Sequence, residues 1–134
     1  MSYQLIRAAL ESKLNAISPA VSTAWENVPF EPAIGQMYQR AFMLPAGADN
    51  TTFGNTLRRE SGIFQVSVCA PLGNGSYDAI TRAEVIRNWF YRGLTLTQSG
   101  VLVRILRTAS IAPAITEEAN YVVPVSIPYF SDIT

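Results

Sequence analysis

The sequence contains no histidine and only one cysteine, Cys69. Without histidine the chain cannot form a Ser-His-Asp or Cys-His nucleophile system, and it lacks the commonest protein ligand of metal ions. One cysteine cannot form an intrachain disulfide or a structural zinc site, and this usage is typical of a cytosolic protein. Because Cys69 ends an apolar stretch, we expect it to be a small buried packing residue. We expect no catalytic residues, no cofactor and no metal.

Charged residues are also scarce: they make up 15% of the chain, and the formal net charge is zero. A general nucleic-acid-binding domain needs a cationic excess to displace counterions from phosphate, so this balance argues against that function. A small surface with few charges either exposes apolar area or covers it with a partner. All basic residues except Lys13 are arginine, which is enriched at interfaces, although a lineage bias would give the same composition. The composition therefore favours an obligate oligomer.

No segment predicts secretion or a membrane span. The start of the chain, Met1 to Arg7, lacks a basic region followed by an apolar run, so we expect no signal peptide. The most apolar segment, 101–106, is interrupted by Arg104 and is far shorter than the roughly 20 residues of a membrane helix. With 134 residues, no internal repeat and no linker, we expect one domain over residues 1–134.

Apolar periodicity predicts two helices and a set of strands. Helical spacing covers 2–17 and 77–92, and strand patterns cover 21–26, 36–44, 58–70, 94–97, 101–107 and 120–130. This order predicts an α+β fold, a mostly antiparallel (mixed) sheet with two helices packed on one face. In the last strand, Pro124 and Pro128 have the same parity and remove N–H donors from the same edge. We therefore expect an edge strand that is paired on one side only.

The segment 45–57 is rich in turn-forming residues and has no periodicity. Loops of this length inside compact domains usually carry function. We expect the long connection of a hairpin, ordered against a neighbouring subunit or another partner protein, with Phe53 as its apolar anchor. Arg58 and Arg59 would make polar contacts at its base. The alternative is a passive surface insertion.

The second predicted helix has two apolar surfaces. Its main stripe consists of Ala79, Ala83, Ile86 and Phe90. Val85 and Trp89 lie on a separate flank, and tryptophan is enriched at interface hot spots. We expect this flank to contact another subunit. Packing against the first helix of the same chain is the alternative that the sequence leaves open.

Other residues that could support chemistry form only weak patterns. The turn 71–76 is rich in glycine, but it lacks the Lys-Ser/Thr of a phosphate loop and the third glycine of a dinucleotide motif. A small dimeric α+β enzyme would need a carboxylate at the start of a helix, and Asp78 is the only candidate. An ion pair with Arg82, one turn later in the helix, is the simpler explanation for Asp78. Such an enzyme, or a ligand-binding module using the turn 73–75, remains the alternative outside structural proteins.

Three blocks, in this order, resemble the tail terminator proteins of long-tailed (siphovirus-type) bacteriophages. The first block consists of the strand 58–71, the turn 73–75 and the helix 79–91. The second block is 93–105, and the third is 121–129. The resemblance covers nearly the whole chain and rests on patterns of strands and glycines. It implies a homohexameric ring that caps the head-proximal end of the tail tube, stops tube polymerisation and provides the surface for head–tail joining.

The resemblance also implies the partners. They are further copies of the chain, the tail tube protein and the neck proteins of the head, with no membrane and no specific nucleic-acid binding, although DNA passes through the ring. It implies a location in the virion tail after assembly in the host bacterial cytoplasm. Another head–tail connector protein of similar fold is the alternative that the sequence does not separate from it.

Overall fold

The computed structural model describes residues 2–17, 21–31, 35–49, 58–73, 75–117 and 120–133. These residues form two helices and eight strands. Helix α1 is Ser2–Asn15 and helix α2 is Tyr77–Trp89. The strands are β1 (Ser22–Trp25), β2 (Tyr38–Asp49), β3 (Arg58–Pro71), β4 (Thr95–Gln98), β5 (Val101–Ile105), β6 (Ser110–Ile111), β7 (Ile115–Glu117) and β8 (Asn120–Ile133).

One mixed sheet contains all eight strands. Its order is β1-β2-β3-β8-β5-β4, and the short strands β6 and β7 also pair with β8. β1 runs parallel to β2, and every other pair is antiparallel. Residues of both helices join one face of this sheet in a single core. The predicted α+β fold is therefore confirmed.

The core lies between the helices and the inner face of the sheet. Phe64 and Val66 of β3 and Ile127 of β8 are fully buried there and alternate with outward-facing residues, as the period of two requires. The predicted stripe of α2 packs on them: Ala79, Ala83, Ile86 and Phe90 have no exposed area. The rings of Phe64 and Phe90 lie 5.9 Å apart between centroids. Each large apolar side chain in this layer contributes about 1.5–3 kcal/mol by burial.

A short chain of polar side chains crosses the buried layer. Arg82 of α2 is 3% exposed and donates from Nε to Oε1 of Gln39 at 3.2 Å. Gln39 donates from Nε2 to Oγ1 of Thr23 at 3.0 Å, which joins β2 to β1. Burial lowers the pKa of Arg82 because it disfavours the charged guanidinium. Since buried polar groups require partners, these bonds fix α2 relative to β1 and β2.

The prediction that the last strand lies at an edge is wrong. β8 pairs with β3 along its whole length, and its other edge pairs in turn with β7, β6 and β5. Pro124 and Pro128 do face that second edge, where their carbonyls accept from the N–H groups of Ala112 at 2.9 Å and Leu106 at 3.0 Å. The N–H donors that these prolines lack would point into the gaps between β5 and β6 and between β6 and β7, where no strand pairs with this edge of β8. Pairing in short pieces thus accommodates both prolines in a central strand.

The connection after β2 starts later than the sequence predicts. β2 continues beyond Pro45 to Asp49, with an irregular register between Pro45 and Gly47. A bulge of this kind is one of the few places where a sheet tolerates proline. β2 and β3 form the expected antiparallel hairpin. What remains of the predicted loop, residues 50–57, lies outside the described residues.

Candidate interface residues

Within the described residues no three Cys, Asp or Glu side chains are placed to hold a metal ion. Cys69 is fully buried beside Tyr38 and Val122 on the outer face of the sheet, and burial raises the pKa of its thiol. It is the packing residue that the sequence predicts. Neither described helix has the length and apolar character needed to cross a bilayer.

The two arginines at the start of β3, where the chain leaves the loop, have different partners. Arg58 pairs with Glu60, with Nε and Oε1 2.9 Å apart. Arg59 binds both oxygens of Asp132, at 2.8 and 3.1 Å, and its guanidinium lies 4.4 Å from the ring centroid of Phe130. The hydrogen bonds from Arg59 lower the pKa of the Asp132 carboxyl. Both members of this pair are more than 40% exposed, so it contributes less than about 1 kcal/mol to stability.

Phe53, the predicted anchor of the loop, lies outside the described residues. Arg58 and Arg59 are consecutive in a strand, so they leave the sheet on opposite faces. Only Arg59 reaches the outer face, where Phe130 and Asp132 join it. The structure therefore splits the predicted polar base of the loop between the two faces of the sheet.

The predicted flank of α2 packs within its own chain. Val85 and Trp89 are half-buried against the main core. Nε1 of Trp89 donates to the carbonyl of Lys13 at 2.7 Å, and Nζ of Lys13 lies 4.0 Å from the indole centroid. Trp89 thus joins α2 to the last turn of α1, which is the alternative that the sequence left open. Contact of its remaining exposed surface with another subunit stays a prediction.

A row of apolar side chains crosses the outer face of the sheet, the face opposite to the helices. Leu44 pairs with Ile63, Ile63 pairs with Pro128, and the carbonyl of Pro128 accepts from the N–H of Leu106. Leu44, Ile63 and Leu106 are 44%, 36% and 45% exposed. A cavity of about 400 Å³ lies beside them, with Arg107 on its wall. We call Leu44, Ile63, Pro128 and Leu106 the outer-face row. Sequence reasoning missed this row because alternation predicts the face on which a residue lies but not its neighbours on other strands.

Helix α2 carries a second exposed surface, which we call the α2 face. It consists of Tyr77, Ile80, Thr81, Glu84 and Asn88, which recur at helical spacing and are all exposed. Tyr77 is 77% exposed and is the most exposed of the large hydrophobic side chains in the described residues. The exposed carboxylate of Asp78 lies on the flank of this face. Sequence reasoning missed this face, although the helical spacing of these positions opposite the buried stripe indicates it.

Comparison with known proteins extends over almost all of this structure. The model of a family described as phage tail terminator protein matches residues 5–129, from α1 to near the end of β8. One solved structure is 33% identical to the chain. It covers 98% of this chain and 96% of its own, with a TM-score of 0.80. No curated protein matches the chain.

Proposed function

The chain belongs to the phage tail terminator family, and from that premise we propose that it forms a hexameric ring on the head-proximal end of the tail tube. As a member of this family it is a structural protein of the phage tail. In our proposal the ring stops polymerisation of the tube and presents its other side to the neck proteins of the head. It acts by binding and geometry, without catalysis, metal or cofactor.

The observation that carries this proposal is the extent of the family match. Residues 5–129 include both helices almost completely and all of the sheet except the end of β8. The exposed surfaces agree with a protein that works through contacts, since the outer-face row and the α2 face both offer apolar area. Monomeric proteins rarely expose contiguous apolar patches of large size.

The partners follow from the same role. The ring binds further copies of itself, the tail tube protein and the neck proteins, and it is assembled in the host bacterial cytoplasm before it becomes part of the virion tail. DNA passes through the ring without specific recognition. The formal net charge of zero supports this part of the proposal, because sequence-independent DNA binding depends on neutralising phosphates with an excess of cations.

We also propose that the loop between β2 and β3 contacts a neighbouring subunit or the tube. Phe53 is the apolar anchor of this contact, and Arg58 and Arg59 provide polar groups at the point where the chain re-enters the sheet. Val85 and Trp89 contribute what remains exposed on their flank of α2. Arg59 is suited to the role because Asp132 and Phe130 already hold its guanidinium at the surface, which lowers the entropy lost on binding.

The test combines the chain with the tail tube protein of the same phage. Negative-stain electron microscopy and light scattering are expected to show rings, and tubes that stop growing with a ring at one end. A variant in which 50–57 is shortened to a tight turn, leaving β2 and β3 whole, is expected to fold but to leave tubes uncapped. Its melting temperature against the wild type is the control for folding.

The same assay has outcomes that contradict the proposal. Tubes of unchanged length and undecorated ends would exclude a terminator role, and binding to neck proteins alone would instead favour another connector protein. If the shortened variant forms its ring and caps tubes normally, the loop has no role in assembly.

A further inference from the structure

On the outer face of the sheet the region around Cys69 is buried, whereas neither helix covers the outer-face row, because both helices lie on the opposite face. The outer-face row places three aliphatic side chains side by side there, each between 36% and 45% exposed. The adjacent cavity of about 400 Å³ has Ile63, Leu106 and Pro128 in its wall. A contiguous apolar surface beside a concave site of this kind is typical of a protein–protein contact.

The α2 face has the complementary character. Tyr77 and Ile80 project from it as apolar knobs, and Glu84 and the flanking Asp78 give it negative charge. Half-buried Arg87 lies at the other flank. Tyrosine is among the residues enriched at interface hot spots, and it fills a pocket with few rotatable bonds.

The border of the outer-face row carries the opposite charge. Arg104 and Arg107 are exposed where β5 ends, and Arg107 lines the cavity itself. The nearby carboxylate of Asp132 is already held by two hydrogen bonds from Arg59. A partner that brings an apolar side chain flanked by carboxylates therefore fits this surface in both shape and charge.

We propose that the outer-face row of one subunit receives the α2 face of a second copy of this chain, with Tyr77 in the cavity and Glu84 beside Arg107. The two surfaces point in opposite directions, since one lies outside the helix layer and the other outside the sheet. Their pairing is therefore head-to-tail, and head-to-tail contacts produce a ring when the rotation closes. This inference rests on the proposed ring and names the two surfaces that build it.

The first test weakens each surface separately. Tyr77→Ala on the α2 face and Leu106→Glu on the outer-face row are each expected to weaken self-association about 30-fold or more, measured by sedimentation equilibrium. The matched control is Tyr91→Ala, which removes a tyrosine that is 55% exposed and lies beyond the other end of α2. All three residues are exposed, so the thermal unfolding curves are expected to match the wild type.

The second test uses the direction of the contact. Tyr77→Glu and Leu106→Glu are each expected to be monomeric alone, whereas their mixture is expected to form heterodimers and stop there, because only one intact pair of surfaces remains. With a self-complementary interface the wild type itself would stop at the dimer. Arg107→Glu is expected to weaken assembly and Glu84→Arg in the same chain to restore it, while Arg92→Glu serves as the control for charge alone.

The outcomes separate this inference from the proposed function. Variants that assemble like the wild type, alone or on tube ends, overturn the inference and leave the ring in place. Variants that self-associate normally but lose tube binding show that the surface receives the tube protein instead, which also overturns it. A wild-type chain that never self-associates also overturns the inference. Assembly through these surfaces without any effect on tube length supports the inference and contradicts the proposed function.

Discussion

Trp89 provides a direct measure of how the two helices are held together. Its indole donates to the carbonyl of Lys13 in the last turn of α1, and the ammonium group of Lys13 lies over the ring. Replacing a fully buried tryptophan by alanine costs about 3–5 kcal/mol, so a half-buried one costs about 2 kcal/mol. The hydrogen bond adds about 1 kcal/mol. We therefore expect Trp89→Ala to lower the free energy of unfolding by about 3 kcal/mol.

The assay is thermal and denaturant unfolding of a series of variants. For a domain of this size, 1 kcal/mol corresponds to roughly 4 °C in melting temperature, so Trp89→Ala is expected to melt about 12 °C lower. Trp89→Phe keeps most of the packing and loses the donor, with an expected loss of about 1 kcal/mol. Lys13→Met keeps the aliphatic stem and removes the charge over the ring, which costs about 0.5–1 kcal/mol at a partly exposed site.

Two results would refute the reasoning. If Trp89→Ala melts at the wild-type temperature and the ring falls apart, Trp89 belongs to the subunit interface and its contact with Lys13 is incidental. If Trp89→Phe loses as much stability as Trp89→Ala, the hydrogen bond dominates and the packing estimate is wrong. Oligomeric state is therefore measured on the same samples as stability.

Two further predictions concern the sheet. A Cβ added at Gly62 would lie 2.6 Å from the carbonyl oxygen of Leu44 and 2.8 Å from the hydroxyl of Tyr129, so Gly62→Ala is expected to cost about 1–3 kcal/mol. Adding Tyr129→Phe relieves only the second clash and recovers only part of the loss; a wild-type melting temperature for Gly62→Ala would contradict this. Because Arg59 lowers the folded-state pKa of Asp132, the pair stabilises above the unfolded-state value and loses this contribution as pH falls through the folded-state pKa. Asp132→Asn is thus expected to lower the melting temperature slightly at neutral pH, by an amount that shrinks in acid; an equal difference at all pH values would contradict it.

Much of the inner half of the fold could be predicted because its signals are local. In β2 the strand pattern was recognised from alternation, and Ala41 and Met43 on one face of the strand are buried in the core. The stripe of α2 was predicted in full for the same reason, since burial of every third or fourth residue depends only on helix geometry. Fold class follows from the order of such elements, which is why it was confirmed.

The short strands were beyond this kind of reasoning. β6 has two residues and β7 has three, which is less than the length over which alternation can be recognised. Their pairing with β8 also shifts in register from one short strand to the next. The sequence correctly placed Pro124 and Pro128 on the same edge of β8. The conclusion that β8 is an edge strand was wrong, because these short strands pair with that edge between and beside the prolines. Pro45 misled in the same way, since a bulge let β2 continue past it.

The exposed surfaces were the hardest to predict because they depend on register between distant segments. Ile63 and Leu106 are 43 positions apart in the numbering, and only the pairing of both segments with Pro128 makes them neighbours. The low charge of the chain nevertheless pointed in the right direction, since a chain with only 15% charged residues has few of them to cover its surface. The composition indicates that exposed apolar surface exists, but not where it lies. The sheet register and the helix face determine that it lies on two opposite sides of one subunit, and this arrangement suits a chain of head-to-tail contacts better than a symmetric dimer.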